Sequence, residues 1–253
     1  MQDGMNGRWA LKAALKSALN SASKPSSTLV RRQHVWLRCW MLVCCLWAAA
    51  LPAHSASKTL LLLGDSLSAE YGLPRGTGWA SLLAQQLRDD KLDAALVNAS
   101  ISGETTAGGK ARLPALLAQH KPDILILELG GNDGLRGLSL AATRDNLQQM
   151  ITMAANAGTR TLLVGMQVPP NYGPDYSKRF AAMYEGLAKD DGKNKAKDKL
   201  HGKGVKLVPF LLSGLEDTER WFQPDRIHPN REAQPVMLRN VWPVLKPMLK
   251  AER

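Results

Sequence analysis

The chain has 253 residues, with 33 Lys or Arg against 22 Asp or Glu and three cysteines. Before Lys58 seven basic residues face one Asp, while from 58 onward 26 basic residues face 21 acidic ones, so the excess there is about +5. A nucleic-acid-binding protein would spread such charge over a face with interleaved aromatics. The larger segment therefore reads as an ordinary soluble domain, and its length of about 195 residues suffices for one full core.

The first 57 residues are unlike the rest. Arg31, Arg32 and Arg38 precede an apolar run over 39–53 that ends in small residues, Ala53-His54-Ser55-Ala56. That is the order of a secretory signal: basic region, apolar region, small-residue end. The run is shorter than the roughly 20 residues of a spanning helix, although an uncleaved anchor is the alternative. We expect residues 1–57 to be an N-terminal extension with an export signal, and 58–253 to be the working domain, periplasmic or secreted. Cys39, Cys44 and Cys45 all lie in the signal, so disulfides, thiolate metal sites and cysteine nucleophiles are excluded from 58 onward.

From Lys58 the chain alternates apolar runs with amphipathic stretches. Strands are expected at 59–64, 94–98, 123–129, 160–167 and 205–210, nearly continuous in Leu, Ile and Val, as in a parallel sheet buried on both faces. Helices are expected at 79–88, 110–120, 138–157, 176–189 and 232–250. Pro235, Pro243 and Pro247 should kink or segment the last of them. Five strand–helix alternations point to a doubly wound α/β sandwich. Seven lysines fall within 189–206; this stretch reads as a solvated loop and leaves a transient membrane-surface contact through 193–203 open.

In such a fold, ligands sit beyond the carboxyl ends of the strands. Four polar, turn-rich loops follow those ends: Gly64-Asp65-Ser66, Asn98 to Gly103, Gly130 to Gly134, and Pro224 to Pro229. Ser66, on a strand-to-helix turn, presents a hydroxyl and an N–H suited to a developing negative charge; a plain helix cap is the alternative. A serine nucleophile needs a base, and three histidines remain after the signal. His120 ends an amphipathic stretch and His201 sits in the lysine run, which leaves His228, on a loop with Asp225 three residues upstream. Asp225 can orient the imidazole through Nδ1 while Nε2 faces the serine. Gly103, bare of side chain, and Asn132, among Gly130, Gly131 and Gly134, are candidate oxyanion donors with the Ser66 amide; ordinary glycine turns are the alternative. A metal site built from three scattered histidines and carboxylates is disfavoured, and no cofactor is expected.

The segments "GDSLS" (64–68), "NASISGETT" (98–106), "LELGGNDGLRG" (127–137) and "DRIHPN" (225–230) resemble, in order and spacing, the four blocks of the SGNH or GDSL hydrolases. The resemblance is closest to the bacterial thioesterase I, lysophospholipase L1 and arylesterase branch. It implies a three-layer α/β/α sandwich on a five-stranded parallel, flavodoxin-like sheet. It also implies Ser66 as nucleophile, His228 as base, Asp225 as its orienter, and Ser66, Gly103 and Asn132 as oxyanion donors. Segment 135–140 resembles the mobile loop beside the acyl pocket of that branch, and the lysine stretch looks like an insertion. The reading is an exported serine esterase that hydrolyses acyl esters or thioesters and takes a small-molecule ester or lysolipid as a monomer. A carbohydrate O-acetylesterase and a non-catalytic exported ligand-binding domain are the alternatives.

Overall fold

The computed structural model describes residues 57–194 and 204–250, which lie in a unit spanning Ala56–Arg253. The signal expected within 1–57, His201 and most of the lysine stretch fall outside the described residues. Five strands, β1 (Lys58–Gly64), β2 (Ala94–Asn98), β3 (Ile124–Glu128), β4 (Arg160–Val164) and β5 (Lys206–Val208), form one sheet in the order β2-β1-β3-β4-β5. Every pairing is parallel. This is the flavodoxin-like order, with its switch point between β1 and β3. The doubly wound sandwich expected from the alternation, in the three-layer form the resemblance implies, is the one found.

Burial follows position in the sheet. The central strands β3 and β4 are buried throughout and β1 over its last five residues, whereas the edge strands β2 and β5 are partly exposed. Hence Leu60-Leu61-Leu62-Leu63 and Ile124-Leu125-Ile126-Leu127 read as unbroken apolar runs, because both faces of each strand are covered. Right-handed crossovers return helices to the two faces. On one face α1 (Trp79–Asp89) packs against α7 (Gln234–Lys250); on the other, α2 (Thr106–His120) packs against α4 (Leu140–Asn156), and α4 against α5 (Pro174–Asn194). Two short helices, α3 (Gly131–Leu135) and α6 (Thr218–Trp221), complete the set.

Several expectations need correction. The last helix is not segmented: it is one continuous element with Pro243 and Pro247 inside it. Each proline removes one backbone bond, but Val241, Leu245, Met248 and Leu249 are buried on the sheet and hold the helix together. Helix α2 begins four residues before the expected 110, because Thr105 caps it: its hydroxyl accepts the Gly108 N–H at 3.3 Å. Strand β4 stops at Val164 instead of 167, since Gly165 already turns away to bond Val208 and Leu211.

The topology fixes two ends. β1 and β3 run side by side until Gly64 pairs with Glu128, and there the chain departs to opposite faces. The divergence opens a crevice at the carboxyl edge. The lysine stretch, by contrast, joins the end of α5 to the start of β5 and so attaches at the amino edge.

Candidate active site

Ser66 sits just past the end of β1. The Asp65 carbonyl takes the N–H groups of both Ser68 and Ala69, and the Asp65 carboxylate takes that of Leu67 at 3.0 Å. The expected strand-to-helix turn is instead a turn alone. Glu70 has φ 61 and Gly72 φ 70, which ends any helical path, and α1 begins only at Trp79. Ser66 is therefore presented by a loop, and no helix start lies beneath its N–H.

His228 comes from the loop between α6 and α7. This loop is closed by a bridge between Phe222 and Pro229 and by the Gln223 N–H bonded to the His228 carbonyl at 2.8 Å. The Gln223 side chain ties it to the Ser66 loop, donating to the Tyr71 carbonyl at 2.9 Å. Buried Gln234 braces it from behind: it donates to the Asn230 carbonyl and accepts the Trp79 N–H. Held this way, His228 Nε2 stands 3.0 Å from Ser66 Oγ, and Nδ1 stands 2.6 Å from Asp225 Oδ2. The other Asp225 oxygen accepts the N–H groups of Ile227 and His228 at 2.9 and 3.0 Å. Arg226, at φ 57, supplies the tight reversal that brings acid and imidazole together three residues apart. Burial by itself would raise the Asp225 pKa; the two backbone N–H bonds and the imidazole outweigh it and leave the carboxylate below its ordinary range. The Tyr71 ring lies against His228, 4.3 Å between centroids.

The three expected oxyanion donors reach the rim differently. Gly103 has φ +78, a conformation that favours glycine, and a Cβ there would meet only Arg136 Nη2 at 3.5 Å. Among the described residues neither the Ser66 N–H nor the Gly103 N–H has a hydrogen-bond acceptor. Asn132, in α3, is brought beside them but has both amide hydrogens engaged. Its Nδ2 donates to Asp65 Oδ2 and to the Glu104 carbonyl, each at 3.0 Å. Arg136 links the same two loops by donating to the Gly103 carbonyl at 3.0 Å. Of the other two histidines, His120 ends α2 away from this rim.

Two acids beneath the rim carry no role in the sequence reading. Asp65, 2 % exposed, joins the Ser66 turn to Asn132, and Glu128, fully buried at the end of β3, supports the turn from below. The sign of both was present: an acid beside the serine, and a lone acid closing the otherwise apolar run Ile124-Leu125-Ile126-Leu127. Burial, with Asp133 adding to it, lifts the Asp65 pKa from 3.8 to about 6, against the opposing effects of the Leu67 N–H, His228 and Asn132.

A testable consequence follows from that direction. The folded state holds the Asp65 proton more tightly than the unfolded chain, so this contribution to stability is present below pH 4 and lost as pH rises through about 6. The loss is about 3 kcal/mol, equivalent to about 6–12 °C in melting temperature for a domain of this size. Asp65→Asn cannot titrate. Thermal melts from pH 4 to pH 7 should therefore show wild type losing ground to the variant by about that interval. Parallel curves would refute the assignment.

Comparison with known proteins gives the family. Residues 62–234 match the model of the GDSL-like lipase/acylhydrolase family. The chain belongs to that family. Esterase TesA of Pseudomonas aeruginosa is 46% identical over 213 residues, covering 84% of this chain and all of that protein. The thioesterase 1/protease 1/lysophospholipase L1 of Escherichia coli K12 is 40% identical over 195 residues, 77% of this chain and 86% of that one. The crystal structure of TesA superposes with a TM-score of 0.68 at 47% identity, covering 76% of this chain and 99% of that one. This GDSL-family chain is accordingly a serine esterase of the α/β-sandwich type, and the class of substrate it takes is a small-molecule ester. No helix among the described residues is long and apolar enough to cross a membrane.

Proposed function

We propose that the protein is an exported esterase that hydrolyses acyl esters or thioesters through an acyl-enzyme on Ser66. The observation that carries this is the continuous bonded line from Asp225 through His228 to Ser66, at 2.6 and 3.0 Å. As Ser66 Oγ attacks the acyl carbon, its proton passes to His228 Nε2, and Asp225 stabilises the imidazolium. The oxyanion is met by the Ser66 and Gly103 N–H groups, and by Asn132 Nδ2 once it exchanges the Glu104 carbonyl for the substrate oxygen. Collapse expels the alcohol or thiol, which takes the proton from Nε2. Water then attacks the acyl-enzyme, giving a proton to Nε2; collapse breaks the acyl–Oγ bond, Nε2 returns that proton to Ser66 Oγ, and the carboxylic acid leaves. No step calls for a metal or organic cofactor.

An acyl substrate is supported by the rim. The five exposed large apolar side chains among the described residues are Tyr71, Ile101, Leu138, Tyr172 and Ile227. Each lies on a different connection at the carboxyl end of a strand, so every loop around Ser66 contributes one. An acetylated sugar gives such a rim little to cover, whereas an acyl chain does. The relatives named arylesterase and thioesterase/lysophospholipase point the same way.

The whole triad comes from one chain, which suits a monomer. The basic, apolar and small-residue order before Lys58 suits export to the periplasm or the medium. A transient membrane-surface contact through 193–203 is compatible with this reading, because that stretch takes no part in the triad.

The test is a series of p-nitrophenyl esters from acetyl to palmitoyl, with fluorophosphonate labelling alongside. The expected result is labelling, with kcat/KM rising beyond acetyl. Activity confined to acetyl esters would favour the carbohydrate O-acetylesterase. A folded protein that neither labels nor turns over would favour a ligand-binding domain.

A further inference from the structure

Glu128 is a carboxyl group with no exposure, at the end of a strand made otherwise of Ile and Leu, in register with Gly64 on β1. Its Oε2 accepts two hydrogen bonds from the nucleophile turn: the Asp65 N–H at 3.2 Å and the Ser68 hydroxyl at 2.7 Å. These donors belong to the residue immediately before Ser66 and the one two after it. The approach is close enough that a Cβ on Gly64 would stand 2.6 Å from Oε2 and 2.8 Å from Ser68 Oγ. That spacing accounts for glycine at the head of the turn. It has nothing to do with backbone freedom, because Gly64 lies within β1.

We propose that Glu128 is a positioning residue for the reaction: its buried carboxyl holds the Asp65 backbone on one side of Ser66 and the Ser68 side chain on the other, and so fixes where Oγ and the Ser66 N–H stand relative to His228. The proposal rests on the reading of Ser66 as nucleophile. The turn needs such a clamp because no helix follows it. It is also held by the bonds to Asp65, by a 3.3 Å bond from the Tyr71 N–H to the Ser66 carbonyl, and by Asn98 Nδ2 donating to the Ser68 carbonyl at 2.8 Å. A displacement of 1 Å at a reacting atom can cost about 10²-fold in rate, so a support two residues wide beneath the nucleophile bears on catalysis directly.

Protonation fits this role. The titratable groups facing Glu128 are Asp65 from the turn and Tyr184 from α5, while Asp133 from α3 and His228 from the rim act on Asp65. None is a cation against Glu128 itself. Burial first, and then the Asp65 charge, push its pKa well above the ordinary range. Its second oxygen, Oε1, is buried and has no hydrogen-bond partner. An ion would not tolerate that, whereas a neutral acid carries a far smaller penalty. The carbonyl oxygen of an amide can accept the same two bonds, so glutamine should substitute where an apolar residue cannot.

The experiment compares the full-length wild type with Glu128→Leu, Glu128→Gln and Ser68→Ala. Active sites are counted by exhaustive fluorophosphonate titration, and kcat and KM are expressed per titrated site, with melts recorded for each protein. Glu128→Leu should lower kcat per site by about 10²-fold with KM changed less than about threefold. Glu128→Gln should recover all but about fivefold of that, and Ser68→Ala, which removes one of the two bonds, should lose about tenfold. A role in stability alone would lower the melting temperature and yield of Glu128→Leu yet leave kcat per site at the wild-type value, and that overturns the proposal. A glutamine variant as slow as the leucine variant overturns it too, since the acid would then act by its proton. If Glu128→Leu does not fold, Ser68→Ala decides alone: wild-type kcat per site sinks the clamp. A wild type that fails to label at all refutes the nucleophile assignment instead, a different and separable outcome.

Discussion

Ser66→Ala is expected to abolish fluorophosphonate labelling and to lower kcat on a medium-chain p-nitrophenyl ester by about 10⁶-fold, the scale seen when a triad serine is removed. The size of the effect comes from the geometry. Ser66 Oγ is the oxygen that His228 Nε2 reaches, at 3.0 Å, and alanine leaves no atom to form the acyl-enzyme. Water held by the same open N–H groups would account for a residual rate over solution, because the Ser66 and Gly103 amides survive the change. Folding should be untouched: Ser66 is only half-buried, and its side chain makes no bond except to the imidazole. A variant that retains one hundredth of the wild-type rate would remove Ser66 from the mechanism.

The three residues proposed as a triad stand out in the sequence because each obeys a local rule. Ser66 ends an apolar strand, Asp225 and His228 are close in the chain, and elimination among three histidines did the rest. The central strands were equally legible, since burial on both faces writes itself as unbroken Leu and Ile. Edge strand β5 was not: three residues with one buried position leave no such run, and its expected span of 205–210 was too long. The helix α3 was hidden in Gly130 to Gly134, a segment that composition assigns to a loop. It exists because Gly130, at φ 114, lets the chain turn tightly off β3, and because Asp133, buried, binds Thr106 through both its oxygens.

The buried acids were harder to see for a physical reason. Periodicity reports which positions are apolar, and a carboxyl group at such a position looks like an exception or a strand end. Only its partners reveal a role, and those partners belong to a distant segment: the Asp65 N–H and the Ser68 hydroxyl for Glu128, sixty-three and sixty residues away. Asn132 shows the same limit. The loop it stands in was identifiable, but the Asp65 oxygen and Glu104 carbonyl that hold its amide were not.

Asp225→Asn is expected to lower kcat by about 10⁴-fold with KM little changed and the fold intact. Asp225 divides its two oxygens between two tasks. Oδ1 holds the loop by accepting the Ile227 and His228 N–H groups, and Oδ2 accepts from the imidazole. Asparagine can keep the first task with its carbonyl oxygen, which leaves its NH₂ facing Nδ1. An imidazole nitrogen that faces a donor must accept, so the ring is driven to the tautomer with its hydrogen on Nε2. That nitrogen then cannot take the Ser66 proton, although the heavy atoms have not moved. Asp225→Ala should behave differently, losing the loop bonds along with the tautomer and so also lowering the melting temperature. Equal rates for wild type and Asp225→Asn would show that Asp225 is only a structural support of its loop. A 10⁴-fold loss at unchanged melting temperature would instead assign it to the orientation of the base.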